Sequence, residues 1–114
     1  MRIERGDIVL AALDPVLGHE ISKTRPVVVV SNDIGNTFSG TVTVLPVTSG
    51  NIEKIYPFEV YIPLDVSGLK KNSKAKADQI RTLDKARLIK RIGRVNPRLI
   101  QEIDNAIKIH LALR

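Results

Sequence analysis

The chain has 114 residues, 43% hydrophobic and 26% charged, with 18 lysines and arginines against 12 acids for a formal charge of +6. That length suits one domain with a core rather than two of ordinary size, and the composition excludes a disordered chain. The longest apolar run, residues 8–13, is far too short to span a bilayer, and the absence of cysteine excludes disulfides, thiolate catalysis and Cys-based zinc sites.

In chain order, residues 1–7 contain no apolar core of a signal peptide, and a cytoplasmic protein is the expectation. Residues 7–13 are a β-prone apolar run closed by Asp14-Pro15. The β-branched residues 26–32 read as a second strand buried on both faces, and these two strands are expected to be central. The polar stretch between them, 16–25, is longer than a tight hairpin needs and reads as a working loop. Residues 41–47 alternate as a strand with Pro46 near its end, a turn follows at 48–51, and residues 57–62 alternate again. A shorter run covers 73–80, Asp84 can cap one helical turn, and 88–95 reads as a late strand. Asn96-Pro97 opens the one clear helix, along which Leu99, Ile100, Ile103, Ala106, Ile107, His110 and Leu111 recur at helical spacing as an apolar face. Ile109 and Leu113 fall off that face and leave a contact for a second subunit. Five to seven short strands and one terminal helix, without repeat or linker, predict a mainly β fold, a small half-open barrel with helical decoration in a single domain over 1–114.

The charge is segregated. Between Lys70 and Arg98 there are eleven lysines and arginines against two acids, Asp78 and Asp84, which leaves the rest of the chain mildly acidic. A segment this basic is expected to meet a polyanion rather than serve solubility alone. The aromatics, Phe38, Tyr56, Phe58 and Tyr61, are too few for a base-stacking platform. Phosphate-loop, zinc-protease and serine-hydrolase motifs are absent, and His19 and His110 are the only histidines.

At the predicted strand ends stand Gly18-His19-Glu20, Thr24-Arg25-Pro26, Thr48-Ser49-Gly50 and Asp78-Gln79. Arg25, if buried, must pair with an acid such as Glu20 or Asp78, or else it serves a substrate. Thr48 and Ser49 either bond their own backbone or donate to a phosphate. His19 can move a proton, because histidine titrates near neutrality, whereas His110 is expected in the core or at an interface. Such groups suit cleavage of RNA. The ribose 2′-hydroxyl supplies the nucleophile, so the protein has to position the chain, move protons and stabilise charge, with no metal or other cofactor.

Six motifs stand in order along the chain: Arg5-Gly-Asp-Ile, Asp14-Pro-Val-Leu-Gly-His-Glu20, Thr24-Arg-Pro-Val-Val-Val, Ser31-Asn-Asp-Ile-Gly-Asn36, Val47-Thr-Ser-Gly and Asp78-Gln-Ile-Arg-Thr-Leu-Asp84. Together they resemble the MazF/PemK family of toxin endoribonucleases, from Arg5 to Leu113. The resemblance implies an SH3-like half-open β-barrel with a C-terminal helix, used as a homodimer, and metal-independent cleavage of single-stranded RNA, mainly mRNA, at short sequence motifs. It implies that Arg25 and Thr48 are catalytic and that Glu20, Asp78 and Gln79 lie beside the site. His19 matches a histidine with a catalytic role in some members. Glu20, Ser49, Asp78, Gln79, Lys76 and Arg81, in or next to those motifs, are taken as RNA contacts.

A guanidinium gives up a proton only at a pKa above about 12. Arg25 is therefore expected to stabilise the phosphorane and assist the leaving group, while His19, Glu20 or a water accepts the 2′-hydroxyl proton. The products are then a 2′,3′-cyclic phosphate and a free 5′-hydroxyl. The resemblance also implies a small antitoxin with an acidic, flexible tail, a partner the basic segment can attract. One rival is a toxin of the same fold that resembles CcdB, which binds DNA gyrase and cuts nothing; such proteins lack the pairing of Thr-Arg-Pro with Val-Thr-Ser. A second is a basic RNA-binding module without catalysis.

Overall fold

Alternating apolar residues and turn chemistry resolve into seven strands and two helices, described over residues 1–114 by a computed structural model. The order is β1 (Asp7–Ala12), β2 (Thr24–Val29), α1 (Asp33–Phe38), β3 (Thr41–Thr48), β4 (Glu59–Ile62), β5 (Ser73–Lys76), β6 (Arg81–Asp84), β7 (Leu88–Arg94) and α2 (Pro97–His110). Every pairing is antiparallel, in the spatial order β4-β5-β3-β2-β1-β7, with β6 also on β3. The sheet curls but does not close, since β6 and β7 are not paired. This is the half-open barrel with a terminal helix that the sequence predicts.

The two strands expected at the centre are there, with β1 between β2 and β7 and β2 between β1 and β3. Period-2 alternation divides their side chains between two cores. Val9, Ala11, Val27, Val29, Val42, Val44 and Leu83 fill one face. Ile8, Val28, Leu45 and Val47 fill the other, beneath Leu99, Ile103 and Ala106 of α2. Strand β3 carries two partners in succession along one edge, β6 opposite Thr41 to Val44 and β5 opposite Val47 and Thr48. Pro46, which has no N–H to donate, falls in the gap between them, opposite the 3-10 turn at Ala77–Gln79. That break splits the expected run 73–80 and leaves β6 as a separate strand that the sequence reading does not contain.

Helix α2 starts as expected: the Asn96 side chain accepts from Leu99 N–H at 2.9 Å and Pro97 occupies the first turn. Its apolar face is buried at Leu99, Ile103 and Ala106, and Ile107 packs half-buried against the core. His110 and Leu111 are exposed, and His110 sits at the surface with its ring centroid 6.4 Å from that of Phe58 rather than in the core. The short helix α1 went unpredicted, having too few turns to show a period. Asn32 caps it by accepting from Gly35 N–H at 2.8 Å, and the buried Asn36 donates to Ser31 O at 2.9 Å. The Arg5-Gly-Asp motif is scaffold. Buried Asp7 takes Arg94 at 2.8 Å and the Glu4 N–H at 2.8 Å, and Arg5 pairs with Asp104 of α2.

Candidate active site

The loop from residue 13 to 23 is closed at its base, where Leu13 N–H donates to Lys23 O at 2.9 Å and Lys23 N–H to the Asp14 carboxylate at 3.1 Å. Its tip turns on Gly18, at φ +58°, and Glu20 stitches the turn by accepting from Leu17 N–H at 2.6 Å. Gln79, on the 3-10 turn between β5 and β6, ties this loop to the barrel with both ends of its amide. Its oxygen accepts from Ile21 N–H at 3.1 Å and its nitrogen donates to His19 O at 3.2 Å. His19 and Glu20 are thereby held against the start of β2 and the end of β3.

A cleft of about 350 Å³ opens there, and His19, Glu20, Arg25, Thr48, Lys76 and Gln79 all line it. Arg25 donates from Nε to Ser22 O at 2.9 Å, and its two terminal nitrogens meet no acceptor of the chain. The structural ion pair with Glu20 or Asp78 is not formed. Thr48 Oγ1 accepts from Gly50 N–H at 3.1 Å, which fixes the rotamer and leaves the hydroxyl proton to donate outward. The hydroxyl of Thr48 thus bonds its own backbone, as one of the two readings has it, and lines the cleft.

Lys74 and Lys76, which line the cleft, belong to an ion-pair network centred on Glu59. Glu59 and Lys74 are buried, with side chains 1% and 4% exposed, and pair at 3.0 Å, while Lys76 holds the other Glu59 oxygen at 2.7 Å. Lys74 uses its remaining protons on Asn51 O at 3.1 Å and Lys54 O at 3.2 Å, and Glu59 also accepts from Tyr56 N–H at 3.0 Å. The β3–β4 loop, whose residues Gly50 and Asn51 form one wall of the cleft, is pinned in this way at three points. Burial by itself would push the Glu59 carboxyl up, but hydrogen bonds from Lys76, the Tyr56 N–H and Lys74 hold it below its ordinary value. Neither Glu59 nor Lys74 stood out in sequence, since a charged residue on a short strand is ordinarily solvated.

Three of the residues singled out from sequence lie elsewhere. Ser49 faces a neighbouring cleft. Arg81 donates to Leu13 O at 3.1 Å and holds the end of β1. Asp78 stands behind Lys76, 3.9 Å from its ammonium, with Oδ1 buried and without a hydrogen-bond partner. No three histidine or carboxylate side chains converge as a metal cage. The cleft thus presents a guanidinium edge and a hydroxyl donor beside an imidazole and a carboxylate, an arrangement able to bind an anionic centre and exchange protons with it.

Comparison with known proteins identifies the family to which the chain belongs. The family profile described as PemK-like, MazF-like toxin of type II toxin-antitoxin systems matches residues 4–111, and the chain belongs to that family. It is 44% identical over 116 residues to endoribonuclease MazF9 of Mycobacterium tuberculosis, covering 97% of this chain and 98% of that protein. It is 39% identical over 113 residues to endoribonuclease EndoA of Bacillus subtilis, covering 99% and 97%. Among solved structures, MazF from Deinococcus radiodurans superposes with a TM-score of 0.85 at 28% identity over 99% of both chains. An endoribonuclease in complex with its cognate antitoxin from a mycobacterial species superposes at 0.76 with 25% identity, covering 99% of this chain and 96% of that one.

Proposed function

We propose that residues 1–114 form a single toxin domain of a type II toxin-antitoxin system, an endoribonuclease that cleaves single-stranded RNA, chiefly mRNA in the cytoplasm, and is opposed by a cognate antitoxin. Relatives named endoribonucleases at 39–44% identity over nearly the whole chain support the activity, and a neighbour solved with its cognate antitoxin supports the partner. The observation that carries the chemistry is the pairing, in one cleft, of an Arg25 guanidinium with uncommitted terminal nitrogens and a Thr48 hydroxyl free to donate.

The 2′-oxygen attacks the adjacent phosphorus while His19, Glu20 or a water takes its proton, and the bond from phosphorus to the 5′-oxygen breaks as that oxygen takes a proton from the Arg25 guanidinium, which recovers one from water. Arg25 and Thr48 hold the non-bridging oxygens on which charge develops. The products are a 2′,3′-cyclic phosphate and a 5′-hydroxyl, and DNA is spared because it lacks the nucleophile. Ile109, Leu111 and Leu113, exposed at the end of α2, supply an apolar contact for the homodimer. The test is cleavage of labelled RNA by purified, chelator-treated protein. Arg25→Ala and Thr48→Ala each abolish most of the activity; cleavage near the wild-type rate in both variants overturns the assignment, and cuts at one recurring motif on a long transcript establish sequence specificity.

A further inference from the structure

A second cleft, of about 500 Å³, lies beside the catalytic one and shares Arg25 with it. Its floor is apolar, with Leu10, Val47 and Leu69, and its rim carries Lys70, Lys71, Lys90 and Arg91 and no acid. One wall is fixed by a close crossing of two chain segments. A Cβ on Gly93 of β7 would stand 1.9 Å from Ser67 O, and one on Gly68, at φ +84°, would stand 2.9 Å from Ile92 O. The loop that presents Lys70 and Lys71 is therefore seated directly on β7, which presents Lys90 and Arg91.

The concentration of charge here is a product of folding. Of the eleven cations between Lys70 and Arg98, Lys74, Lys76, Arg91 and Arg94 pair with carboxylates. Arg81, Lys85 and Arg87 donate to main-chain carbonyls. Lys70, Lys71, Lys90 and Arg98 remain, and the three lysines all rim this one cleft.

We propose that the second cleft holds the RNA strand as it continues past Arg25, gripping its phosphates without reading its bases. This rests on the endoribonuclease reading and assigns its parts: recognition and chemistry in the polar cleft, sequence-blind affinity in the cationic one. A strand whose scissile phosphate lies on Arg25 carries further phosphates on both sides, and the lysines are the next unpaired cations in this direction. The rim offers three ammonium groups, which act as point charges, the Arg91 guanidinium, which is already paired with Asp7 at 3.4 Å, and Ser49 and Ser73 as small hydrogen-bonding side chains, too little to distinguish bases.

The experiment compares the wild type with Lys70→Gln/Lys71→Gln/Lys90→Gln on a long single strand containing one cut site and on a short oligonucleotide spanning only that site. None of the three lysines has an intrachain partner, so thermal melting should match the wild type. The expected result is a KM on the long strand raised about tenfold at low salt with kcat within about twofold, an unchanged KM on the short strand, and unchanged cut sites. The slope of log KM against log salt concentration should fall by about 2, at roughly 0.7 per phosphate contact on a single strand. An unchanged salt slope, or altered cut sites, overturns the proposal. So does weaker inhibition by an acidic peptide with RNA kinetics unchanged, which would give the cleft to an acidic protein segment instead. Binding of a 2′-deoxy-substituted strand, followed by fluorescence anisotropy, keeps the two readings separate: loss of salt-dependent affinity in the triple variant supports the cleft even where no cleavage is seen.

Discussion

The two adjoining clefts are built on opposite principles. In the proposed catalytic cleft, the side chains of Glu20, Arg25, Thr48, Lys76 and Gln79 each make at least one hydrogen bond or ion pair within the chain, and His19 is held through its main-chain oxygen, so the site is largely ordered before substrate arrives. In the cationic cleft, Lys70, Lys71 and Lys90 are exposed and unpaired. Stabilising a transition state depends on donors fixed within a fraction of an ångström, whereas attracting a polyanion depends on charge that has not been neutralised. Anchoring therefore marks the place of chemistry, and the lack of it marks the place of binding.

That contrast can be broken at several points, beginning with the largest expected effect. Arg25→Ala should lower kcat by about 10²–10³-fold, the scale for removing one preorganised donor to a developing oxyanion, while leaving the salt dependence of binding largely intact. Single-turnover cleavage across a salt series measures both quantities.

Glu59→Gln leaves Lys74 buried beside a neutral amide and should destabilise the fold by about 3 kcal/mol at pH 7 by urea unfolding. Because the folded protein holds the Glu59 carboxyl below its ordinary value, the wild-type advantage is full above the unfolded carboxyl pKa of about 4.3 and is lost as pH falls through the lowered folded value. Unfolding curves of the two proteins should thus converge only well into acid; convergence already at pH 5 would remove Glu59 from this role.

Gly93→Ala places a methyl group against Ser67 O and should cost about 1–3 kcal/mol by displacing the loop over β7. It should also raise KM on long RNA more than on short RNA, because that loop forms the wall of the cationic cleft. Gln79→Ala frees the loop carrying His19 and Glu20 from the barrel and should reduce kcat by about tenfold with little effect on the melting temperature, as expected for one exposed and one half-buried hydrogen bond. A melting point lowered as far as that of Glu59→Gln would show the amide to be a fold determinant instead.

Much of the scaffold was legible in sequence because its causes are local. Val27 to Val29 read as a buried central strand from β-branching, Asn96-Pro97 read as a helix start from capping chemistry, and both stand where expected. The missed pieces are those whose cause is distant. Residues 73–84 break into two strands because β3 changes partner at Pro46. The candidate site divides likewise. Arg25 and Thr48 stood out at strand ends, but Glu59 and Lys74 become a pair only through the register of β4 on β5, which sets Glu59 opposite Lys76 and two residue pairs from Lys74, on the same face of the sheet.

By itself the sequence determined the mainly β fold with its terminal helix, the order of the motifs and an excess of positive charge between Lys70 and Arg98. These follow from periodicity, caps and counting, which need only neighbouring residues. Which of those cations remain available was decided by the tertiary structure alone. Arg94 is neutralised by Asp7 and Lys76 by Glu59, partners that the sheet brings within 3 Å although they lie far apart along the chain. Charge is additive in sequence, but its pairing falls off over a few ångströms in space, so only the fold could gather the lysines left over into one cleft beside Arg25.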